Sequence, residues 1–198
     1  MPKKSNHKKF DANFTAGGLL FHEFMVLEKL ITKPNNAELL KSEESQNVYM
    51  GIATLNARKR ILSEIKRRMA YAPDYFWENY YAWSEKEQKL ALLFLCLKTY
   101  PVVLDIHLEV TLPKYKIGAN LKAYDITMRL DELASSHPEV ESWSVSTIRK
   151  INVQYRKAIQ DAGLMENGKL QIPYGLSDSF WNYFINTNEN WFLTACFK

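Results

Sequence analysis

Arg149, Lys150, Arg156 and Lys157 form two pairs of cations set seven residues apart. On an α-helix that step returns a side chain to nearly the same angle, so the pairs become two cationic rows. Rows of this kind neutralise phosphates along a nucleic-acid backbone. The spacing recurs in a second basic stretch, where Lys59 repeats as Lys66 and Arg60 as Arg67. With two lysines of the N-terminus, the DNA-binding candidates are Arg149, Lys150, Arg156, Lys157, Arg60, Lys66, Arg67, Lys8 and Lys9. The alternative is two ordinary solvated helix faces, since charged faces are common.

Residue types for bond-making chemistry do not converge in the same way. The four histidines, His7, His22, His107 and His137, lack the pairing of a zinc-binding helix. There is no phosphate-binding P-loop and no nucleophile elbow. Gly17-Gly18 has no preceding strand and lacks dinucleotide-fingerprint spacing; a close backbone approach or a tight turn suits it better. The expectation is a non-enzymatic protein without cofactor or metal. An enzyme, such as a nuclease, whose site is assembled only in space stays as an alternative.

The +4 net charge is local, because Lys3, Lys4, Lys8 and Lys9 supply the whole excess of 26 cations over 22 anions. The body is neutral, so DNA affinity must come from patches and the tail and must depend on salt. Cys96 and Cys196 have neither metal nor redox spacing, which fits a reducing, cytoplasmic setting. Leu90–Val110 is the most hydrophobic stretch, but Lys98, Pro101, Asp105, His107 and Glu109 interrupt the run of about 20 apolar residues that a bilayer requires.

The elements that must carry the cations are helices. Ser144 or Ser146 can cap a helix whose apolar face is Ile148, Ile151, Tyr155, Ala158, Ile159 and Ala162. Gly163 suits its left-handed stop, and Asn167-Gly168 is a strong hairpin dipeptide. A basic helix followed by a small β-turn unit is how a winged helix-turn-helix meets DNA. Thr54 or Asn56 opens the other basic helix, to about Ala70, with Leu55, Ile61, Leu62, Ile65 and Met69 as its core stripe. Arg58 leans toward that stripe and needs either an ion pair or a ligand.

Elsewhere, residues 1–13 read as a disordered basic arm, and Thr15 as the cap of a helix reaching Ile31. A short helix covers Ala37 to Glu44. The aromatic run Pro73–Trp83 can stack on bases but suits core packing better. Ser84 and Glu87 match a capping box for a core helix through Thr99, and Pro101 starts another to Leu112. Pro113–Leu121 reads as a loop and a domain boundary. Beyond it lie a helix from Ala123 to Ser136, with Tyr124, Met128, Leu130 and Leu133 as candidate core, and a helix capped by Ser177. The expected fold is all-α: an N-terminal helical domain over 14–115, then a winged-helix-like unit over 116–198 with at most one small hairpin.

In order, FTAGGLLFHE, RKRILSEIKRRM, EQKLALLFLCLKTYPVVLDIHLEV and STIRKINVQYRKAIQDAGLM resemble the BrxA family, over about residues 14–175. BrxA proteins are accessory components of bacteriophage exclusion (BREX) systems, which defend bacteria against phage. The resemblance implies a helical, NusB-like fold, binding to double-stranded DNA, and service beside other defence subunits including a methyltransferase. Members have been labelled inner-membrane proteins; the interruptions in Leu90–Val110 argue against a membrane here. The matching residues are Gly17, Gly18, Glu23, Arg67, Arg68, Thr147, Arg149 and Lys150. A rival reading is a protein-interaction module that bridges defence subunits without touching DNA.

Overall fold

Eight consecutive residues, Leu90 to Leu97, are buried, and the molecule is built around the helix that carries them. The computed structural model describes residues 9–198. In chain order, a 3-10 helix (Asn13–Ala16) is followed by α1 (Phe21–Val26), α2 (Glu28–Ile31), α3 (Asn36–Gln46), α4 (Leu55–Met69), α5 (Phe76–Ala82), α6 (Glu85–Thr99) and α7 (Pro101–Ile106). A π-helical turn (His107–Thr111) joins α7 to α8 (Leu112–Lys116). Then come α9 (Ala123–Ser136), α10 (Pro138–Glu141), α11 (Val145–Asp161), the strands β1 (Met165–Glu166) and β2 (Lys169–Leu170), α12 (Asp178–Asn186) and α13 (Trp191–Ala195). The fold is all-α with one two-stranded antiparallel hairpin, Met165 opposite Leu170. Asn167 and Gly168 turn it with φ of 50° and 82°, the left-handed pair that matches strand twist.

Local chemistry sets the helix ends. Thr54, Ser144 and Ser177 accept from the backbone N–H three residues on. Ser84 and Glu87 form the capping box. The Glu87 carboxylate also accepts from the Ser177 N–H (2.8 Å) and hydroxyl (2.6 Å), tying the start of α6 to the start of α12. Burial would raise its pKa, but the serine donors outweigh burial and hold it at about 2. The aromatic run Pro73–Trp83 is core material: Phe76 and Tyr80 are buried, and Trp77 stacks on Phe24.

Of the basic arm expected over residues 1–13, the described part is held against the body. Phe10 is buried, and the N–H groups of Lys9 and Phe10 donate to Glu139 of α10. Lys3, Lys4 and Lys8 lie outside the described residues. The helix expected from Thr15 to Ile31 is broken, because the carbonyls of Gly18 and Leu19 turn away to meet Arg68, and Leu20 is left-handed. Part of the stretch expected as a loop from Pro113 is helical to Lys116. The π turn ahead of Pro113 widens the helix where the proline ring and its missing N–H would otherwise break it. On α9 the core stripe is Ile126, Leu130 and Leu133. Tyr124 and Met128 sit off that stripe and are 68% and 42% exposed, against the expectation that they were core.

No single helix among the described residues is long and apolar enough to cross a membrane. The most apolar segments, α6 and Pro101–Lys116, meet at 109°. One cluster of buried side chains runs from Phe10 to Phe197.

Candidate nucleic-acid interface

α11 has a buried back and an open front. Ile151, Tyr155, Ala158 and Ile159 are buried, whereas Ser146, Arg149, Lys150, Val153, Lys157 and Gln160 are exposed. Two polar anchors fix the angle of the helix. The Asn152 amide donates to the Ala123 carbonyl (2.7 Å) and the Thr127 hydroxyl (3.1 Å) of α9. The Tyr155 hydroxyl lies 2.9 Å from His107 Nδ1 and 2.5 Å from the Thr111 hydroxyl, both in the π turn.

The proton positions in that second anchor follow from its neighbours. His107 Nε2 is 2.7 Å from the Ala195 carbonyl, which can only accept, so Nε2 carries the hydrogen. Nδ1 then accepts from Tyr155, and Thr111 donates to the Tyr155 oxygen. Burial lowers the His107 pKa to about 4, outweighing the Ala195 carbonyl, which favours the protonated ring. Burial likewise pushes the Tyr155 phenol up. The anchor is neutral near pH 7.

The α4 cations face different surroundings. Arg68 is fully buried and donates to the Leu19 (2.7 Å) and Gly18 (2.6 Å) carbonyls and the Tyr100 hydroxyl (2.9 Å). Tyr100 passes a hydrogen bond on to the buried carboxylate of Glu64 (2.8 Å). Arg67 clamps Asp11 with two hydrogen bonds, at 3.1 and 2.5 Å. Arg60 donates to the Thr15 hydroxyl at 2.8 Å. Segment 10–20 is thus held on the α4 side by arginines. On its other side is α11: a Cβ on Gly18, where φ is +57°, would lie 2.7 Å from Gln154 Oε1. The close backbone approach expected at Gly17-Gly18 is this contact.

Arg58 makes no ion pair among the described residues, the first of the two possibilities expected for it. Its guanidinium donates to the carbonyls of Glu44 (2.9 Å), Ile52 (2.7 Å) and Ala53 (3.3 Å). It caps the end of α3 and staples the following loop. The buried Glu43 serves the same loop, accepting from the N–H groups of Val48, Tyr49 and Met50.

The nine candidate cations therefore divide. Arg149 and Lys150 are exposed and make no ion pair among the described residues. Lys157 is exposed but pairs with Asp161 at 3.0 Å. Arg156 is half-buried, and its Nε is shielded with no acceptor among the described residues. Lys66 is half-buried, and Arg60 and Arg67 are engaged as described. Lys9 is exposed, its ammonium 5.0 Å from the Phe10 ring centre. Lys8 lies outside the described residues.

Sequence reading missed the burial of Arg68, although a signal was present. Arg68 stands seven residues after Ile61 and three after Ile65, on the apolar stripe itself. The His107–Tyr155 anchor had no local signal, since its partners are 48 residues apart. No group of three or more His, Cys, Asp or Glu among the described residues could hold a metal ion. The cleft beside Gly17 and Gly18 is lined by Lys89 and Lys157, each paired with a carboxylate of its own helix, Glu85 and Asp161.

The family model described as BrxA matches residues 8–188. Among solved structures, an uncharacterized protein from Magnetospirillum magneticum superimposes with a TM-score of 0.78 at 16% identity, covering 95% of this chain and 98% of that one. That likeness shows the fold. No match is found among curated proteins.

Proposed function

Because the chain belongs to the BrxA family of phage-defence accessory proteins, we propose that it binds double-stranded DNA, without catalysis, on behalf of a bacteriophage exclusion complex. The observation that carries this reading is the front of α11. Arg149 and Lys150 stand exposed and unpaired among the described residues, on a helix whose angle is fixed from behind and which is followed at once by the β1–β2 hairpin. The order α9, one-turn α10, α11, hairpin is that of a winged helix-turn-helix, with α11 as the helix offered to the groove. From Val145 to Gln160 no acidic residue interrupts the charge. Lys157 and Arg156 add phosphate contacts at the flanks. The protein works in the cytoplasm beside other defence subunits, a methyltransferase among them.

A second reading has its own support. Exposed Tyr124 and Met128 on α9 offer apolar surface to a partner subunit. An electrophoretic shift across a salt series separates the two. DNA binding gives retardation at low salt and a slope of log Kobs on log[salt] near roughly −3.6 for four phosphate contacts. No retardation of duplex at tens of micromolar protein in dilute salt overturns the DNA reading and leaves the interaction module.

A further inference from the structure

The front of α11 is ordered across its width as well as along its length. Arg149 and Arg156 lie toward one edge, and Lys150 and Lys157 toward the other. Ser146, Val153 and Gln160, again seven residues apart, run between them. Ser146 and Gln160 are polar. Val153 is not, yet it is 54% exposed at the middle of the helix, between two cationic rows. Scattered exposed valines are ordinary, but this one occupies the line that faces the floor of a groove when its flanking cations reach the two groove walls. An α-helix about 10–12 Å across fills a major groove about 12 Å wide, so the central row meets base edges while the flanking rows meet phosphates.

We propose that Val153 is a base-reading residue that packs against the C5-methyl group of a thymine in the major groove. The inference rests on the DNA-binding reading and adds the class of base recognised. Among major-groove edges only thymine presents a methyl group, and apolar side chains are its complement. Arg149, one turn earlier and unpaired among the described residues, is placed to contact a neighbouring base or its phosphate. The protein therefore favours thymine-containing sites.

The test uses the full chain and two duplexes of one A·T-rich sequence, one with thymine and one with deoxyuridine, which lacks only the methyl. The wild type is expected to bind the thymine duplex about fourfold more tightly, the effect of burying one methyl group. Val153→Ser, which puts a polar group in place of the apolar one, should bind the two duplexes equally and match the wild type on the deoxyuridine duplex, with an unchanged thermal melt. Lys150→Glu should weaken both and keep the ratio. Equal wild-type affinity for the two duplexes overturns the proposal and leaves DNA binding standing. A preference that survives Val153→Ser also overturns it. Failure to bind either duplex overturns the DNA-binding reading and this inference together.

Discussion

α4 and α11 carry cations at the same seven-residue spacing and use them in opposite ways. On α4, Arg58, Arg60, Arg67 and Arg68 are all engaged by this chain's own carbonyls, hydroxyls and carboxylates. On α11, Arg149 and Lys150 are unengaged among the described residues, and the helix is held instead by neutral groups, Asn152 and Tyr155. The difference lies in what covers each helix. Segment 10–20 lies across Arg60, Arg67 and Arg68 and offers them a hydroxyl, a carboxylate and two carbonyls, whereas nothing in the described chain crosses the front of α11. Periodicity marks a charged face; only the path of a distant segment decides whether that face is consumed internally or left for a ligand.

The comparison is tested most severely at Arg68. Arg68→Ala should destabilise the protein by about 3–5 kcal/mol, because two carbonyls and the Tyr100–Glu64 pair lose their buried cation. A melt should fall on the order of 10 °C, with duplex affinity of the still-folded protein preserved. A melt within 2 °C of wild type would refute the structural role given to α4.

The neutral back of α11 predicts an acid dependence. His107 has a pKa of about 4 in the fold against an ordinary 6.5, so the unfolded chain takes up the proton first as pH falls. Stability should be complete above about pH 6.5 and decline between 6.5 and 4, by up to about 3 kcal/mol. His107→Gln should flatten that part of a chemical-denaturation profile. A wild-type profile already level from pH 7 to 4.5 contradicts the buried neutral imidazole.

On the front of α11, Arg149→Glu combined with Lys150→Glu should weaken duplex binding at least about tenfold at low salt, or about 1.4 kcal/mol, with little change in the melt. This pair is cleaner than one containing Arg156, whose half-buried side chain mixes folding with binding. The smallest effect is expected at Arg58. Arg58→Gln should cost about 1–2 kcal/mol through lost carbonyl hydrogen bonds and leave duplex affinity within about twofold. A larger loss of binding than of stability at Arg58 would move part of α4 into the interface.

Local signals in the chain were read correctly where the physics is local. The caps at Thr54, Ser84, Ser144 and Ser177, the left-handed stop at Gly163, the Asn167-Gly168 turn and the burial of Leu90–Leu97 each depend on residues within a turn or two. The all-α class follows from them, as does the existence of two basic helices. The family resemblance rests on the same residues in the same order. Misreadings arose where a remote group overrode local preference. The helix expected from Thr15 is broken because Arg68, some fifty residues away, takes the carbonyls that would have continued it. Arg58 found carbonyls rather than a carboxylate, and Tyr124 and Met128 faced out because α9 turned on Ile126, Leu130 and Leu133.

By itself, then, the sequence determined the all-α class, the capped helix starts, the stop at Gly163 and the two cationic rows on α11, since side-chain angle follows from chain position once a helix forms. Only the tertiary structure decided that the arginines of α4 belong to the fold while Arg149 and Lys150 face open solvent. A cation's partner is set by which distant oxygen the chain brings within about 3 Å, and one-dimensional spacing carries no information about that distance.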